Sequence, residues 1–252
     1  MLHTFFFKEG AKRRHIFEID NRMSIVYDHQ QMSNLKLLDL KADYEQALDQ
    51  IWEEQIQKHP ETVEDELVSR GYAVENKLQI GGVLFLGMNP SYSRTDVNKE
   101  GRFFYDYNLD DTNRYFKAFS VFCNMVFEQV YPCHHDIFFI RHKDQKTVLQ
   151  RRTSILYKEF FEKQLSLSRE IIRRTDPRLI VVLNAGIRDI FHEIYSFDDV
   201  KDFDNSLGAY NLLIEGKKIP VIFSGMLFGQ RALDRGSKMN LQWQIKHVMH
   251  MH

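Results

Sequence analysis

Two periodicities divide the chain. Uninterrupted apolar runs end or fill the segments Val83–Gly87, Asp136–Ile140, Leu179–Leu183 and Ile219–Phe223. Runs this short and this apolar read as strands buried on both faces. Between them apolar residues recur at helical spacing. The segment 113–130 carries Tyr115, Phe116, Phe119, Phe122, Cys123, Val126 and Phe127 on one side. Residues 153–174 read as one long helix stopped by Asp176-Pro177, followed by shorter helices over 185–195 and 238–249. Alternating strands and helices predict an α/β fold: three layers, with a central parallel sheet of four strands covered on both faces.

Upstream, Tyr44, Ala47, Leu48, Ile51, Trp52 and Ile56 mark an amphipathic helix over 41–58, which His59-Pro60 ends. A shorter helix over 62–69 precedes Gly71, the residue type that stops helices. His3–Lys8 and Ile16–Ile19 suit a hairpin, and so do 210–214 and 219–223 around Glu215-Gly216-Lys217-Lys218. The organisation expected is an N-terminal extension, 1–78, packed on an α/β domain, 79–252.

Composition narrows the function classes. The net charge of -1 gives no global attraction to nucleic acid, so any DNA contact must come from a local patch. No stretch approaches the roughly 20 apolar residues of a membrane span. The start, Met1 to Lys8, is too short and too soon charged for a signal peptide. Cys123 and Cys133 are the two cysteines, read as reduced thiols of a cytoplasmic protein. Cys133-His134-His135-Asp136 are consecutive, and a strand would point them alternately to opposite faces. Neither a metal nor a cofactor is expected.

The chemistry concentrates after the first core strand, in Gly87-Met88-Asn89-Pro90-Ser91. Gly87 permits a sharp turn or a close ligand, and Pro90 stops the strand. Asn89 then stands at the carboxyl end of a central strand, where open α/β sheets place ligands. Its amide can orient a water or read a polar ring edge, or simply bond its own loop as an Asx-turn.

Four blocks in order resemble the uracil-DNA glycosylase superfamily over roughly residues 80 to 249. They are Gly87-Met88-Asn89-Pro90-Ser91, then Gly101-Arg102-Phe103-Phe104 with Asn113-Arg114-Tyr115-Phe116, then Asp136–Arg141, then Ile219–Gly225 running on to Arg231 and Arg235. The first block is closest to the Asn-bearing, mismatch-specific branch. The resemblance implies hydrolysis of the N-glycosidic bond of uracil or a related base flipped out of DNA. It assigns Asn89 to the attacking water and Ser224 to the departing base anion. Gly87, Met88, Ser91, Phe104 and Arg141 would bind the base, with Phe104 stacking on it and Phe103 second in line. Gly225, Leu227, Phe228, Arg231 and Arg235 would meet DNA, the apolar residues as a wedge and the arginines on phosphates.

The chain departs from the family pattern twice. Ser224-Gly225 stands where the family has a His, and the second strand lacks the Asn that reads the uracil edge, leaving Arg141 or His142 for that task. The alternative is therefore a nucleic-acid or nucleobase binder on the same fold that does not hydrolyse. An unrelated hydrolase or nucleotide-binding protein is disfavoured, because no Gly-x-Ser-x-Gly, Walker A or Gly-x-Gly-x-x-Gly segment occurs.

Overall fold

A computed structural model describes residues 35–92, 101–106, 114–126, 133–195, 200–229 and 232–251. The hairpin expected at 3–8 and 16–19 lies outside the described residues. Leu37–His252 forms one compact unit, so residues 37–78 and the α/β part share one body. In chain order it contains β1 (Leu37–Asp39), α1 (Leu40–Lys58), a 3-10 turn (Pro60–Thr62), α2 (Glu66–Ser69), β2 (Ala73–Glu75), β3 (Lys77–Gln79), β4 (Val83–Gly87) and β5 (Phe103–Tyr105). There follow α3 (Arg114–Val126), β6 (Cys133–Asp136), α4 (Gln145–Arg152), α5 (Lys158–Thr175), β7 (Leu179–Leu183) and α6 (Ala185–Ile194). The last elements are β8 (Val200–Asp204), β9 (Ala209–Ile214), β10 (Lys217–Ser224) and α7 (Arg235–Met251). None of the described helices is long and apolar enough to cross a membrane.

The fold is α/β, built on a six-stranded sheet in the order β6-β4-β7-β10-β9-β8. β6, β4, β7 and β10 are mutually parallel, and β9 and β8 extend the sheet antiparallel. β4 lies inside the sheet, between β6 and β7, and is buried along its length, as its apolar sequence requires. The β9–β10 hairpin turns through Glu215 and Gly216, both at positive φ, the geometry a tight two-residue hairpin turn needs.

Two expectations need correction. The second core strand is Cys133–Asp136, not 136–140. Residues 137–142 instead run beside the loop leaving β4, where Ile137, Phe138 and His142 donate backbone N–H bonds to the carbonyls of Gly87, Met88 and Pro90. Their apolarity reflects burial rather than strand geometry, with Phe138 edge-on to Phe161 of α5 at 4.9 Å. Two helices stand around the one expected over 153–174: α4, over Gln145–Arg152, precedes it unpredicted, and α5 begins only at Lys158. Asp144 starts the first by accepting from Lys146 N–H at 3.0 Å and Thr147 Oγ1 at 2.8 Å.

Alternation along the strands builds the layers. Val83, Phe85, Leu179, Val181, Leu183 and Ile222 pack in one cluster with Phe119, Phe122 and Cys123 of α3 and Leu241, Ile245 and Val248 of α7. Phe223 points to the opposite face and meets Phe191 of α6 at 5.8 Å. Each large apolar side chain so buried contributes about 1.5–3 kcal/mol. The sheet ends at β8, a short strand whose register shifts between Lys201 and Phe203, a device that protects an edge.

Candidate active site at the strand ends

Four neighbouring parallel strands finish on the same edge of the sheet, in Asp136, Gly87, Leu183-Asn184 and Ser224. Asp136 pairs with Gly87. A Cβ at position 87 would lie 2.0 Å from Asp136 Oδ1 and 2.9 Å from the His134 ring. Glycine at 87 therefore leaves space for a carboxyl laid across the strand end, the close approach the sequence suggests, but made by the protein itself. His134 and Asp136 share a face, two residues apart on β6. The His134 ring packs against Tyr115 at 6.0 Å and Phe119 at 5.6 Å, with Tyr115 Oη 3.4 Å from Nε2. Cys133 Sγ accepts the Gln79 N–H at 2.9 Å instead. Among the described residues no group of three or more His, Cys, Asp or Glu is arranged to hold a metal.

Burial sets the protonation here. It pushes the Asp136 carboxyl up to about 8, so the group holds its proton at neutral pH. Glu75 is 2% exposed, and burial raises its carboxyl well above the usual carboxylate range. The nearby Asp106 and Asp136 add to that rise, and the His134 backbone N–H offsets part of it. Burial pushes His134 and His135 down to about 3, so both rings are neutral. A protonated carboxyl offers one donor and one acceptor, the pattern an amide offers.

Asn89 is held rather than free. Its Nδ2 donates to His142 O at 2.7 Å and to Pro90 O at 3.0 Å. Those bonds fix the amide and leave Oδ1 as a buried acceptor with no donor among the described residues. Met88 is buried, and its methyl would lie 3.0 Å from a Cβ on Gly186, at the start of α6. Ser91 is exposed.

The ring expected to stack on a base faces elsewhere. On β5, Phe104 turns toward the buried Tyr72, 5.9 Å away, whose hydroxyl bonds Asp49 of α1. Its neighbours Phe103 and Tyr105 face the other way, by the two-residue period of a strand. Phe103 lies under the Arg141 guanidinium at 4.6 Å, and Tyr105 stacks on Phe116 at 5.3 Å. Arg141 is itself 2% exposed, spread between Phe103 and Tyr92 and bonded to Arg70 O at 3.3 Å, so it holds the loop together rather than presenting donors to a ligand.

The segment after β10 also departs from expectation. Ser224 is half-buried, and its carbonyl accepts the Asn184 N–H at 2.9 Å. Gly225 lies close to Leu233, with 2.8 Å between a Cβ there and the tip of that flexible side chain. Leu227 is 1% exposed inside the main cluster, so it is core and not a wedge. Phe228 is half-buried, 5.4 Å from Tyr115, with Lys238 Nζ 5.0 Å over its ring. Arg231 lies outside the described residues. Arg235 is exposed at the first position of α7.

Sequence reasoning misses two residues of this edge. It places Asp136 at the start of a strand, whereas Asp136 is the last residue of one. Asn184 follows β7 with φ 85° and ψ 137°, a conformation costly for anything but glycine. It caps α6 by accepting from Gly186 N–H at 3.2 Å while Nδ2 bonds Gln145 Oε1 at 2.5 Å. An Asn ahead of a helical pattern is a readable cap signal; its strained backbone is not. The assembled edge thus carries a fixed amide, a proton-bearing carboxyl and several half-buried rings. No protein-family model matches the chain, and no curated protein matches it in sequence.

Proposed function

We propose that this chain is a uracil-DNA glycosylase-like repair protein that hydrolyses the N-glycosidic bond of uracil or a related base flipped from DNA. The observation that carries the reading is Asn89: an amide pinned through Nδ2, with Oδ1 left as a buried acceptor at the end of a central strand. Such an acceptor suits the orientation of an attacking water. Asp136 takes the base-reading role expected of Arg141, since its proton-bearing carboxyl lies across Gly87 beside the same loop. Phe228 and Tyr115, edge-on to each other with Tyr115 against His134, take the stacking role expected of Phe104, which turns toward Tyr72 instead. A non-hydrolysing nucleobase binder is the second reading. It is favoured by His134 and His135, which are buried and neutral and so supply no imidazolium to a departing base anion.

Release of uracil from single-stranded and mismatched oligonucleotides tests both. We expect slow release by the parent and a fall of about 100-fold in Asn89→Ala, the range for losing one positioned polar group. Losing the bond to His142 should cost about 1 kcal/mol of stability. Full activity in Asn89→Ala would remove that residue from the reaction. Tight binding of a uracil-containing oligonucleotide without release selects the binding reading, and neither release nor binding removes both.

A further inference from the structure

A row of rings leaves the candidate site along the α6 face of the sheet. It starts at the fully buried Phe191 of α6 and steps to Phe223, the residue before Ser224, at 5.8 Å. From Phe223 it passes to Tyr210 of β9 at 5.5 Å, and from Tyr210 to Phe203 of β8 at 5.2 Å. Exposure rises outward along the row, reaching 40% at Tyr210 and 48% at Phe203. The Arg188 guanidinium lies 4.9 Å over the Phe223 ring, and Arg188 itself is exposed. His192 flanks the same ring at 5.8 Å, tilted by 34°. Glu193, the next residue of α6, is clasped by two bonds from Arg152, while the exposed Asp189 follows Arg188 in the chain.

Two half-exposed rings side by side on the last two strands give a sheet little stability for the solvent they order. Rings in series with a cation over Phe223 match a different need. Single-stranded nucleic acid binds by stacking bases on aromatic faces while cations meet its backbone. We infer that Phe223, Tyr210 and Phe203, with Arg188, form a track for single-stranded nucleic acid that runs outward from the strand ends. Tyr210 and Phe203 stack unpaired bases, and Arg188 meets a phosphate. As an account of how a damaged strand is held beside the site, the track rests on the glycosylase reading and gives it a preference for unpaired DNA. A second copy of this chain, adding to the β8 edge, is the competing occupant.

The test is fluorescence anisotropy with a labelled thymidylate dodecamer lacking uracil, against the same strand in duplex. The parent should prefer the single strand, and Tyr210→Ala should weaken that binding about tenfold, the effect of losing one stacked base. Phe203→Ala should weaken it less. Photo-crosslinking of the unaltered protein to an oligonucleotide carrying 5-iodouracil should place adducts on Tyr210, Phe203 or Phe223, a readout independent of any variant's folding. Equal affinity of parent and Tyr210→Ala, or adducts confined to other elements, overturns the track. So does a change from dimer to monomer in Tyr210→Ala at unchanged oligonucleotide affinity, which assigns the face to a second copy. Uracil excision without single-strand preference removes the track and keeps the glycosylase reading; single-strand binding lost in Tyr210→Ala without any excision does the reverse.

Discussion

The two faces of the sheet carry aromatic clusters of similar chemistry and opposite circumstance. On the α3 face, Phe85 is fully buried and edge-on to Phe119 at 5.0 Å and Phe122 at 6.2 Å. On the α6 face, the row from Phe223 to Phe203 climbs into solvent. Ring geometry is alike in the two, T-shaped at 5 to 6 Å, so the contacts alone do not distinguish them. What differs is cover. α3 and α7 close the first face, whereas the second runs past α6 onto β9 and β8, where its rings reach solvent. A ring under a helix has its area removed from water and holds the fold. A ring beyond the helix keeps that area available for something else.

Truncating one ring on each face tests the contrast most directly. Phe85→Ala should cost about 3–5 kcal/mol, the loss of a buried Phe plus the cavity it leaves. The urea midpoint should fall accordingly with little change in slope. Phe203→Ala should leave the midpoint almost unmoved. Similar midpoints for the two variants would mean that the β8–β9 face is covered in solution and that the contrast between faces is false.

A smaller effect tests the polar group at the end of the covered face. Burial raises Asp136 from 3.8 to about 8. The folded state therefore keeps a proton that the unfolded state releases, and this stability is lost as pH rises through the folded value. His134 and His135 act oppositely: their values fall from 6.5 to about 3, so their contribution is lost as pH drops below 6.5. Between pH 6.5 and 8 the carboxyls act without them, and Glu75 adds in the same sense. One proton over that window corresponds to at most about 2 kcal/mol. The parent should become less stable from pH 6.5 to 8, and Asp136→Asn, which cannot titrate, should show a flatter dependence. Parallel curves would show that Asp136 is ionised in the folded protein and that the strand end is wetter than its surroundings imply.

The covered face is also the part most legible in the sequence. Val83–Gly87 and Leu179–Leu183 are buried along their whole length, as an unbroken apolar run between polar loops requires. Hydrophobicity reports burial, however, and burial is not strand. That is why apolarity points to Asp136–Ile140 as the second strand, three residues downstream of Cys133–Asp136, whose two histidines and aspartate look polar in sequence. Asp136 is hidden for the same reason: a carboxyl that keeps its proton behaves as a neutral group, and nothing local announces it. Phe104 turns on register, since a step of one residue on β5 exchanges a ring facing Tyr72 for one facing Arg141. Leu227 turns on the path of its loop, because an apolar loop residue next to cations reads as a wedge until the loop is seen to fold inward.

The smallest effect is the most discriminating. Phe203 and Tyr210 are direct cross-strand partners on β8 and β9, with rings 5.2 Å apart. Cross-strand aromatic pairs of this kind couple by about 0.5–1 kcal/mol. A double-mutant cycle of Phe203→Ala and Tyr210→Ala, read by urea unfolding, should therefore return a coupling in that range, with each single change costing no more than about 1 kcal/mol. The equivalent cycle of Phe85→Ala and Phe119→Ala should give single costs several times larger, because each removes buried area as well as a ring contact. If the exposed pair instead shows single costs approaching those of Phe85, its rings are held by cover in solution, and a second copy on the β8 edge becomes the better account of that face. If the coupling is present but small, the rings are ordered by each other and left accessible, which is the state a stacking surface requires.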